Sequence, residues 1–586
     1  MSKIQNSWNL KLFYKSDTDP EIEQDMQAIE EACLKFEKKY RGKDFTSSVD
    51  KLLKALKDSE NLDKIFKGYK PLVYFNYKRD LNSKDSAVVA KATQLEVRLT
   101  RAGNRLTFFS LELGKIPSKL QKQFLKDARL ASYHYLLKTI FDKAKYNLTE
   151  KEEQLASLLS QPGYGMWVDG QDKLASSQMV KHKGKSIPLA EASGILSGES
   201  KPLRQALYKE ITKTLKNISH FAEAEINAIY NFKKIMDERR GFKHPYSATV
   251  LGYENDEKTI EGLVALVTKS FKISQRFYKL HAKLLKEKKI TLADRGVSIG
   301  KIDKKFDFRA SVEIVKRAFG KIDPKYVEIF ENFLENGQLD VFPKKGKTGG
   351  AYCSHGGDNP TFVLLNHTDN IRSVETIAHE MGHAFHSEFS KTQPHHYREY
   401  STATAEVAST FFEQVTLAEM EKELDKKEYA ILLHNKIMGD VSTIFRQVAC
   451  FNFELELHQR IRQEGQLSGE EMAKLMSKHL RSYLGDSVEV TDDDGYFFVY
   501  WSHIRRFFYV YSYAYGQIIS RALFEKWSED KSYAKKIEQF LHAGGSMSPK
   551  DIFKSIGINT SDPNFFLTGL KGIEKDIKKL ERLTAK

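Results

Sequence analysis

Residues 376–386, TIAHEMGHAFH, constrain this chain more than any other stretch of its 586 residues. Residues four apart lie on one face of a helix, so His379 and His383 can present two imidazole nitrogens to one metal ion. Glu380 stands one step round the helix beside them. The spacing predicts a catalytic zinc pair, but chance produces the same pattern in some chains, so other parts of the sequence have to support it.

The helix around these histidines is predicted by apolar residues at three- and four-residue spacing, with Asp369 or Ser373 as the expected cap at its start. The histidines then face away from the main apolar stripe. Gly382 lowers helix propensity, and we interpret it as a site of close packing. His386 is expected to be an ordinary hydrogen-bonded histidine.

Two histidines leave a catalytic zinc ion one protein ligand short, because such sites use three protein ligands and a water. Glu406 lies 23 residues beyond His383 on a second predicted helix, a distance that a short loop and a returning helix span. Glu413 points the same way as Glu406 and is the expected hydrogen-bond acceptor for a ligand histidine. The sequence therefore predicts one Zn²⁺ per chain, held by His379, His383 and Glu406.

The fourth zinc position is left to a water molecule, whose pKa falls to about 7 when it is bound to zinc. Glu380 is placed to take the proton of that water and to pass it to a leaving amine. These residues together predict amide hydrolysis without a protein nucleophile.

Residues 496–515 are the most aromatic part of the chain: eleven of these twenty residues are Phe, Tyr or Trp, and His503 lies among them. Tyr509 and Tyr513 are four apart and share a face. Such stripes are ordinarily core. The zinc motif is the reason to consider them as donors for the oxyanion of a tetrahedral intermediate.

The helical pattern of residues is interrupted just before the zinc helix, over residues 347–366. Two short extended runs flank a glycine-rich turn, which indicates a hairpin. Its free edge, with Gly350, Ala351 and Tyr352, would let backbone groups hold an extended peptide. The alternative is that the hairpin only supports the helix.

The formal charge of +15 comes from lysines mixed with glutamate at helical spacing, which is typical of solvated helix faces. No concentrated basic face or binding module indicates a nucleic-acid partner. The three cysteines are far apart and unpaired in pattern, which fits a reducing compartment. Without an apolar signal core or membrane span, a cytoplasmic protein with no membrane association is expected.

The chain is predicted to be mainly α, with few breaks in a helical pattern. Residues 1–110 read as an N-terminal helical region, 111–195 as a small helical lobe, and 196–586 as the catalytic domain. Long helical stretches are expected over 204–239 and 257–287. A short strand or loop boundary is expected near 181–200.

The chain resembles the M3, or thimet-oligopeptidase-like, zinc metallopeptidases, and within them the oligoendopeptidase F branch. The likeness is strongest over residues 200–580 and weaker over 111–159. The matching segments are GAYC at 350–353, LLN at 364–366, HEMGHAFH at 379–386, AEVAST at 405–410, Arg446-Gln447, Phe453-Glu454, and FYVYSYAYG at 508–516.

The resemblance implies a two-lobed helical shell around a deep channel that admits short unfolded peptides, with a small sheet or hairpin beside the zinc helix. It also implies zinc ligation by His379, His383 and Glu406 with Glu380 as general base. His503 and Tyr509 would hold the substrate and polarise its carbonyl.

The same resemblance leaves the number of tyrosines at the oxyanion open. Tyr513 matches a further tyrosine of the family by spacing. Thimet-type relatives carry another tyrosine three residues on, where this chain has Gly516.

The expected activity is zinc-dependent cleavage of internal peptide bonds in short peptides. One alternative is a dipeptidyl carboxypeptidase-like exopeptidase on the same scaffold. Another, of a different class, is a helical peptide-binding protein with an inactive metal site. A structural zinc site would be expected to have four protein ligands, which argues against the binding protein. The sequence leaves the cleavage preference and the oligomeric state open.

Overall fold

The computed structural model describes residues 4–585, and most of them lie in helices. The α-helices are α1 (Pro20–Tyr40), α2 (Val49–Phe66), α3 (Lys70–Leu81), α4 (Ser86–Asn104), α5 (Thr107–Gly114), α6 (Ser118–Phe124), α7 (His134–Ala144), α8 (Glu150–Ser160), α9 (Met166–Ser176), α10 (Leu189–Ile195), α11 (Lys201–Asn217), α12 (Ser219–Arg240), α13 (Ser247–Gly252), α14 (Glu257–Lys269), α15 (Phe271–Leu284), α16 (Phe308–Gly320), α17 (Pro324–Asn336), α18 (Ile371–Ser390), α19 (Thr402–Met420), α20 (Lys426–Asp440), α21 (Gln447–Glu464), α22 (Gly469–Leu484), α23 (Tyr511–Glu529), α24 (Ala534–Ala543), α25 (Pro549–Ser555) and α26 (Phe565–Thr584). No helix in residues 4–585 is both long and apolar enough to cross a membrane.

The strands are few and short, and they form three small sheets. They are β1 (Met179–His182), β2 (Lys185–Pro188), β3 (Ile290–Thr291), β4 (Leu339–Asp340), β5 (Tyr352–Ser354), β6 (Phe362–Leu364) and β7 (Val488–Glu489). β1 pairs with β2 and β5 with β6 in antiparallel fashion, while β3–β7 and β4–β6 are parallel. The prediction of a mainly α fold is confirmed, as is the small sheet beside the helix of the zinc motif, since β5 and β6 pack on α18.

The chain divides into two compact units, each built from separate stretches of sequence. Unit 1 contains residues 4–147, Lys304–Glu423 and Leu523–Ile558. Unit 2 contains residues Leu148–Asp303, Leu424–Ala522 and 559–585. The division of the sequence into domains at 1–110, 111–195 and 196–586 stays a prediction.

In unit 1 the N-terminal helices build one hydrophobic core that includes the middle strand of the sheet. Phe362 and Leu364 of β6 are fully buried in this core. Trp8 donates its indole N–H to the Val363 carbonyl at 2.8 Å and meets the Phe362 ring edge-on at 5.5 Å. The core therefore holds the sheet in place next to α18.

Neither cap proposed from the sequence is the observed one: α18 begins at Ile371, one residue later than a cap at Asp369 would place it and three residues earlier than a cap at Ser373 would. Asn370 is the N-cap, and its side chain accepts a hydrogen bond from the Ser373 amide at 3.0 Å. Asp369 instead adopts a left-handed conformation with φ 54°. Asn is as good a cap as Asp, so composition alone could not separate the candidates.

The apolar side of α18 packs on neighbouring helices of unit 1. The Phe385 ring lies 4.7 Å from Phe412 of α19, 5.0 Å from Phe319 of α16 and 5.0 Å from Tyr326 of α17. Aromatic pairs at these distances stabilise helix packing beyond their buried area. This packing fixes the rotation of α18 and leaves His379 and His383 on another side.

In unit 2 the helices predicted over 204–239 and 257–287 are each broken. α11 ends at Asn217 and α12 begins at Ser219, while α14 ends at Lys269 and α15 begins at Phe271. Ser219 donates its hydroxyl to the Lys216 carbonyl at 2.7 Å. Short polar side chains compete in this way for backbone hydrogen bonds, which a search for apolar periodicity does not detect.

Candidate metal centre

The three predicted zinc ligands come together in unit 1, on the packed helices α18 and α19. One ligand atom from each of His379, His383 and Glu406 lies within 4.8 Å of the others. Glu406 Oε2 is 3.6 Å from His379 Nε2 and 4.0 Å from His383 Nε2. Two imidazole nitrogens and a carboxylate oxygen thus face a common point.

This donor set fits a zinc ion by its chemistry and its spacing. Catalytic zinc sites combine histidine nitrogen with carboxylate oxygen. Tetrahedral bonds near 2.1 Å keep ligand atoms about 3.4 Å apart. The two distances from Glu406 to the histidines are close to that value. Small side-chain rotations would therefore complete the coordination.

Glu413 orients one of the two histidines. Its Oε2 lies 3.0 Å from His379 Nδ1, so His379 donates its Nδ1–H to Glu413, and Nε2 is the nitrogen that would bind a metal once its own proton is released. Burial disfavours the charged imidazole, but this hydrogen bond and the surrounding carboxylates raise the pKa of His379 to about 9. Burial lowers the pKa of His383 well below its usual value, so that imidazole is neutral.

Glu380 is almost fully buried, with 6% of its surface exposed. Burial raises its pKa to about 7, the nearby Glu406 carboxylate contributes to the rise, and His379 opposes it. The backbone amide of Cys353 in β5 also lowers this pKa by donating to Glu380. A carboxyl group that titrates near neutrality suits proton transfer in both directions.

A ring stack next to the ligands was not found from the sequence. Tyr400 lies parallel to His386 at 3.7 Å and to His355 at 5.0 Å. Its hydroxyl lies 3.0 Å from Ser387 Oγ, and Ser387 in turn donates to the His383 carbonyl at 2.9 Å. His386 is buried and stacked, with no hydrogen-bond partner for Nδ1 among the described residues. Nothing in the spacing of these residues could have indicated the stack.

The glycine-rich hairpin supplies an edge strand. β5 pairs with β6 only, because the sheet order is β4-β6-β5. Gly350 has φ 79°, and its carbonyl accepts a hydrogen bond from Asn366 at 2.8 Å. The Tyr352 hydroxyl donates to Asp80 at 2.6 Å, so its side chain is already engaged. Peptide binding by the backbone of Gly350, Ala351 and Tyr352 therefore stays a prediction, and of the three only Tyr352 lies in β5.

His503, Tyr509 and Tyr513 come together in unit 2. His503 Nε2 lies 3.3 Å from the Tyr513 hydroxyl oxygen, and the Tyr509 ring lies 5.9 Å from His503 and 5.1 Å from Tyr513. Burial lowers the pKa of His503, and the charges of Arg446 and Arg506 lower it further. The imidazole is therefore neutral near pH 7, and all three side chains are half-buried.

Tyr509 follows a turn with unusual backbone geometry. Phe507 has φ 43° and Phe508 has φ 59°, and left-handed conformations of this kind cost about 1–3 kcal/mol each. α23 begins only at Tyr511, so the predicted shared helix face of Tyr509 and Tyr513 does not exist. The turn brings the two rings together instead. Tyr511 and Tyr515 are fully buried, as expected for core residues.

Two family models match the chain. The model described as Peptidase family M3 matches residues 195–572, and the model described as Oligopeptidase F matches residues 112–177. Oligopeptidase PepF from Bacillus subtilis is 25% identical over 603 aligned residues, covering 100% of this chain and 88% of that protein. An oligoendopeptidase F homolog from Lactococcus lactis is 24% identical and covers 99% and 97%.

Solved structures share the fold. A crystal structure of a protein from Chlamydophila abortus has a TM-score of 0.88 at 22% identity, covering 99% of this chain and 98% of that one. The crystal structure of oligoendopeptidase-F from Enterococcus faecium has a TM-score of 0.71 at 18% identity, covering 96% and 98%. The M3 model alone spans more than half of the sequence, so this chain is a metallopeptidase that belongs to peptidase family M3, in its oligoendopeptidase F branch.

Proposed function

We propose that this chain is a zinc-dependent endopeptidase that cleaves internal bonds of short, unfolded peptides. The observation that carries the proposal is the arrangement of His379, His383 and Glu406 around a common point, with Glu413 on the outer nitrogen of His379. Three protein ligands leave one position open, which distinguishes catalytic from structural zinc sites. This set would hold one zinc ion.

Zinc bound by these ligands would polarise the scissile carbonyl and lower the pKa of a water molecule. Glu380 accepts a proton from the attacking water and delivers it to the departing amine, so that nitrogen leaves as a neutral amine. Its burial near the ligands and its raised pKa support both steps. Glu413 keeps His379 in the tautomer that ligation needs.

His503, Tyr509 and Tyr513 are assigned to the substrate in this proposal. The phenols can donate hydrogen bonds to the carbonyl oxygen as negative charge develops on it, which is the usual source of oxyanion stabilisation. The neutral His503, 3.3 Å from the Tyr513 hydroxyl, can orient that phenol or bind the peptide backbone. These roles rest on the family resemblance and on the chemistry of the three side chains.

Peptides are the proposed substrates, and the edge of β5 is the proposed place for their backbone. Strand addition binds main chain without regard to most side chains, which suits an enzyme for varied short peptides. The substrate channel and the exclusion of nucleic acid remain predictions. The three free cysteines fit the cytoplasmic location proposed from the sequence.

The proposal is tested with the purified protein, an internally quenched peptide and measurement of metal content. We expect about one zinc per chain, activity that a chelator abolishes and zinc restores, and fragments that arise from internal cleavage. Glu380→Gln should retain zinc and lose activity by about three orders of magnitude or more. Wild-type activity in that variant would refute the role of Glu380.

The position of the cleaved bond separates an endopeptidase from an exopeptidase. A peptide blocked at both ends, by N-acetylation and C-terminal amidation, should be cut in its middle. Cleavage restricted to free C-termini would establish the dipeptidyl carboxypeptidase alternative. Zinc binding without any hydrolysis of either peptide would favour a peptide-binding protein.

A further inference from the structure

The turn before Tyr509 is held by side chains of unit 2 that bond to its backbone. The Phe508 amide donates to Glu454 Oε1 at 2.7 Å. On the other side, the Thr249 hydroxyl donates to the Phe507 carbonyl at 2.7 Å. Left-handed aromatic residues persist only where the surroundings impose the conformation, and these two hydrogen bonds act directly on the strained residues.

Burying the Glu454 carboxyl group at this position costs free energy. It is fully buried on α21, and no lysine or arginine of residues 4–585 forms an ion pair with it. His458 Nε2 lies 4.0 Å from its Oε1, and the charge of Lys233 acts on it from beyond ion-pair distance. Burial raises its pKa well above the usual value, and the Phe508 amide and the charge of Lys233 oppose that rise. A buried polar group of this kind is expected to have a specific use.

The surroundings of Glu454 are aromatic and offer few other acceptors for an inward-facing amide. His458 stacks on Phe508 at 5.1 Å and on Tyr230 at 3.7 Å, and Phe451 meets Phe508 at 5.2 Å. The left-handed turn directs the Phe508 N–H into this cluster. Without the Glu454 carboxyl the amide would be buried and unsatisfied, which disfavours the turn.

We propose that Glu454 is a positioning residue, which holds the left-handed turn at Phe507 and Phe508 and so sets Tyr509 against His503 and Tyr513. This inference rests on the proposed function, because it gives Tyr509 a part in the reaction. Glu454 itself does not touch substrate or the zinc ligands in this proposal; it acts through the backbone of the turn.

The first test compares two replacements of Glu454 in the full-length, zinc-loaded enzyme with an internally quenched peptide. Gln keeps a carbonyl acceptor for the Phe508 amide in a side chain of the same size, so Glu454→Gln should keep kcat within about twofold. Leu fills similar volume without an acceptor, so Glu454→Leu should lower kcat about tenfold or more with KM changed less than about threefold. Glu456→Leu removes a partly exposed glutamate of the same helix, which pairs with Lys478 and His479 away from the turn, and this matched control should retain wild-type kcat.

The second test is a double-mutant cycle with Tyr509→Phe. If Glu454 acts through Tyr509, the double variant should be no slower than the slower single variant, within about threefold. If the losses of kcat in Glu454→Leu and Tyr509→Phe multiply in the double variant, the inference is overturned and the proposed function stays intact. Full activity of Tyr509→Phe would remove Tyr509 from the reaction, and the inference with it.

A third variant covers the case in which Glu454→Leu does not fold. Glu454→Met has an unbranched chain of similar length and at most a weak acceptor, and it should show the same loss of kcat and the same coupling to Tyr509→Phe. Wild-type kcat in Glu454→Met, or a loss of kcat in Glu454→Gln equal to that in Glu454→Met, would contradict a positioning role for the hydrogen-bond acceptor.

Discussion

A Cβ atom added to Gly382 of α18 would lie 2.6 Å from the Cα of Ser409 in α19. It would also lie 3.1 Å from the Ala408 carbonyl oxygen. Gly382 thus lets the two ligand-bearing helices approach each other at backbone distance. Ser409 donates its hydroxyl to Glu406 Oε2 at 3.4 Å, so the contact point lies next to the proposed third ligand. The distance between α18 and α19 therefore affects the position of Glu406 in the metal centre.

We predict that Gly382→Ala weakens zinc binding by about tenfold or more and lowers activity with it. Neither the Ser409 Cα nor the Ala408 carbonyl oxygen can move aside without moving α19, and Glu406 moves with that helix. The zinc dissociation constant is measured by competition with a metal-binding dye. The effect arises although alanine favours helix more than glycine does by about 1 kcal/mol.

Gly103 is the matched control for this substitution. It lies in α4, and a Cβ built on it meets no atom within 4 Å. Gly103→Ala should leave zinc affinity unchanged and should not lower the melting temperature. Equal zinc affinity in the wild type and Gly382→Ala would show that α19 tolerates the added atom.

We predict that Glu413→Ala weakens zinc binding by about 10–100-fold, because His379 loses the partner that fixes its ring and tautomer. Glu413→Gln keeps an acceptor oxygen and should lie between Ala and the wild type. The same dye competition measures both, independently of catalysis. Zinc affinities that are equal in all three proteins would mean that His379 needs no partner at Nδ1.

Much of the candidate site follows from the sequence because its residues sit at helical spacing on regular helices. His379 and His383 are four apart on α18, and Glu406 and Glu413 are seven apart on α19. Regular periodicity makes such neighbours predictable. Gly382 was also interpreted as a close-packing site, and the contact with Ser409 confirms that interpretation.

The parts that the sequence did not indicate depend on irregular backbone or on distant packing. Tyr509 approaches Tyr513 through a left-handed turn that precedes the helix, and no local pattern predicts aromatic residues in that conformation. The stack of Tyr400 on His386 is set by tertiary packing. Asn370 as the helix cap was one of several equivalent choices. Local rules rank such options without deciding between them.

We predict that the protein loses stability as the pH falls below about 6.5, partly through two buried histidines of unit 2. His281 donates Nε2–H to the Asp294 carbonyl, and its Nδ1 lies 2.9 Å from His434 Nε2. Burial lowers both pKa values, and His281 lowers that of His434 further. Below about pH 6.5 the unfolded chain therefore binds protons that the folded chain does not bind. For one such proton the free energy of unfolding falls by about 1.4 kcal/mol per pH unit.

Urea unfolding at pH 7.5, 6.5 and 5.5 measures this dependence, with His434→Gln as the comparison. Glutamine can still donate to His281 Nδ1 but does not titrate, so the variant should lose less free energy of unfolding between pH 6.5 and 5.5. Other titrating groups contribute equally to both proteins. Identical slopes in the two proteins would assign the acid sensitivity to those other groups.

We predict that Glu225→Ala destabilises the protein by about 3–5 kcal/mol, since it leaves the buried Arg505 guanidinium without its counter-charge. Glu225 and Arg505 are 0% and 2% exposed and form two hydrogen bonds of 2.7 Å. Arg505 also donates to the carbonyls of Phe498 and Trp501, so the pair anchors the segment that leads to His503.

The matched control for this variant is an ion pair of similar length at the surface of the same unit. Glu470 and Lys474 are 2.7 Å apart, with 69% and 57% of their side chains exposed. Water screens such a pair and its geometry is costly to hold, so Glu470→Ala should change the free energy of unfolding by no more than about 0.5 kcal/mol. Urea midpoints of the two variants test the contrast directly. Similar losses in both would mean that the Arg505 guanidinium finds water or another acceptor when Glu225 is removed, and that burial does not decide the strength of this pair.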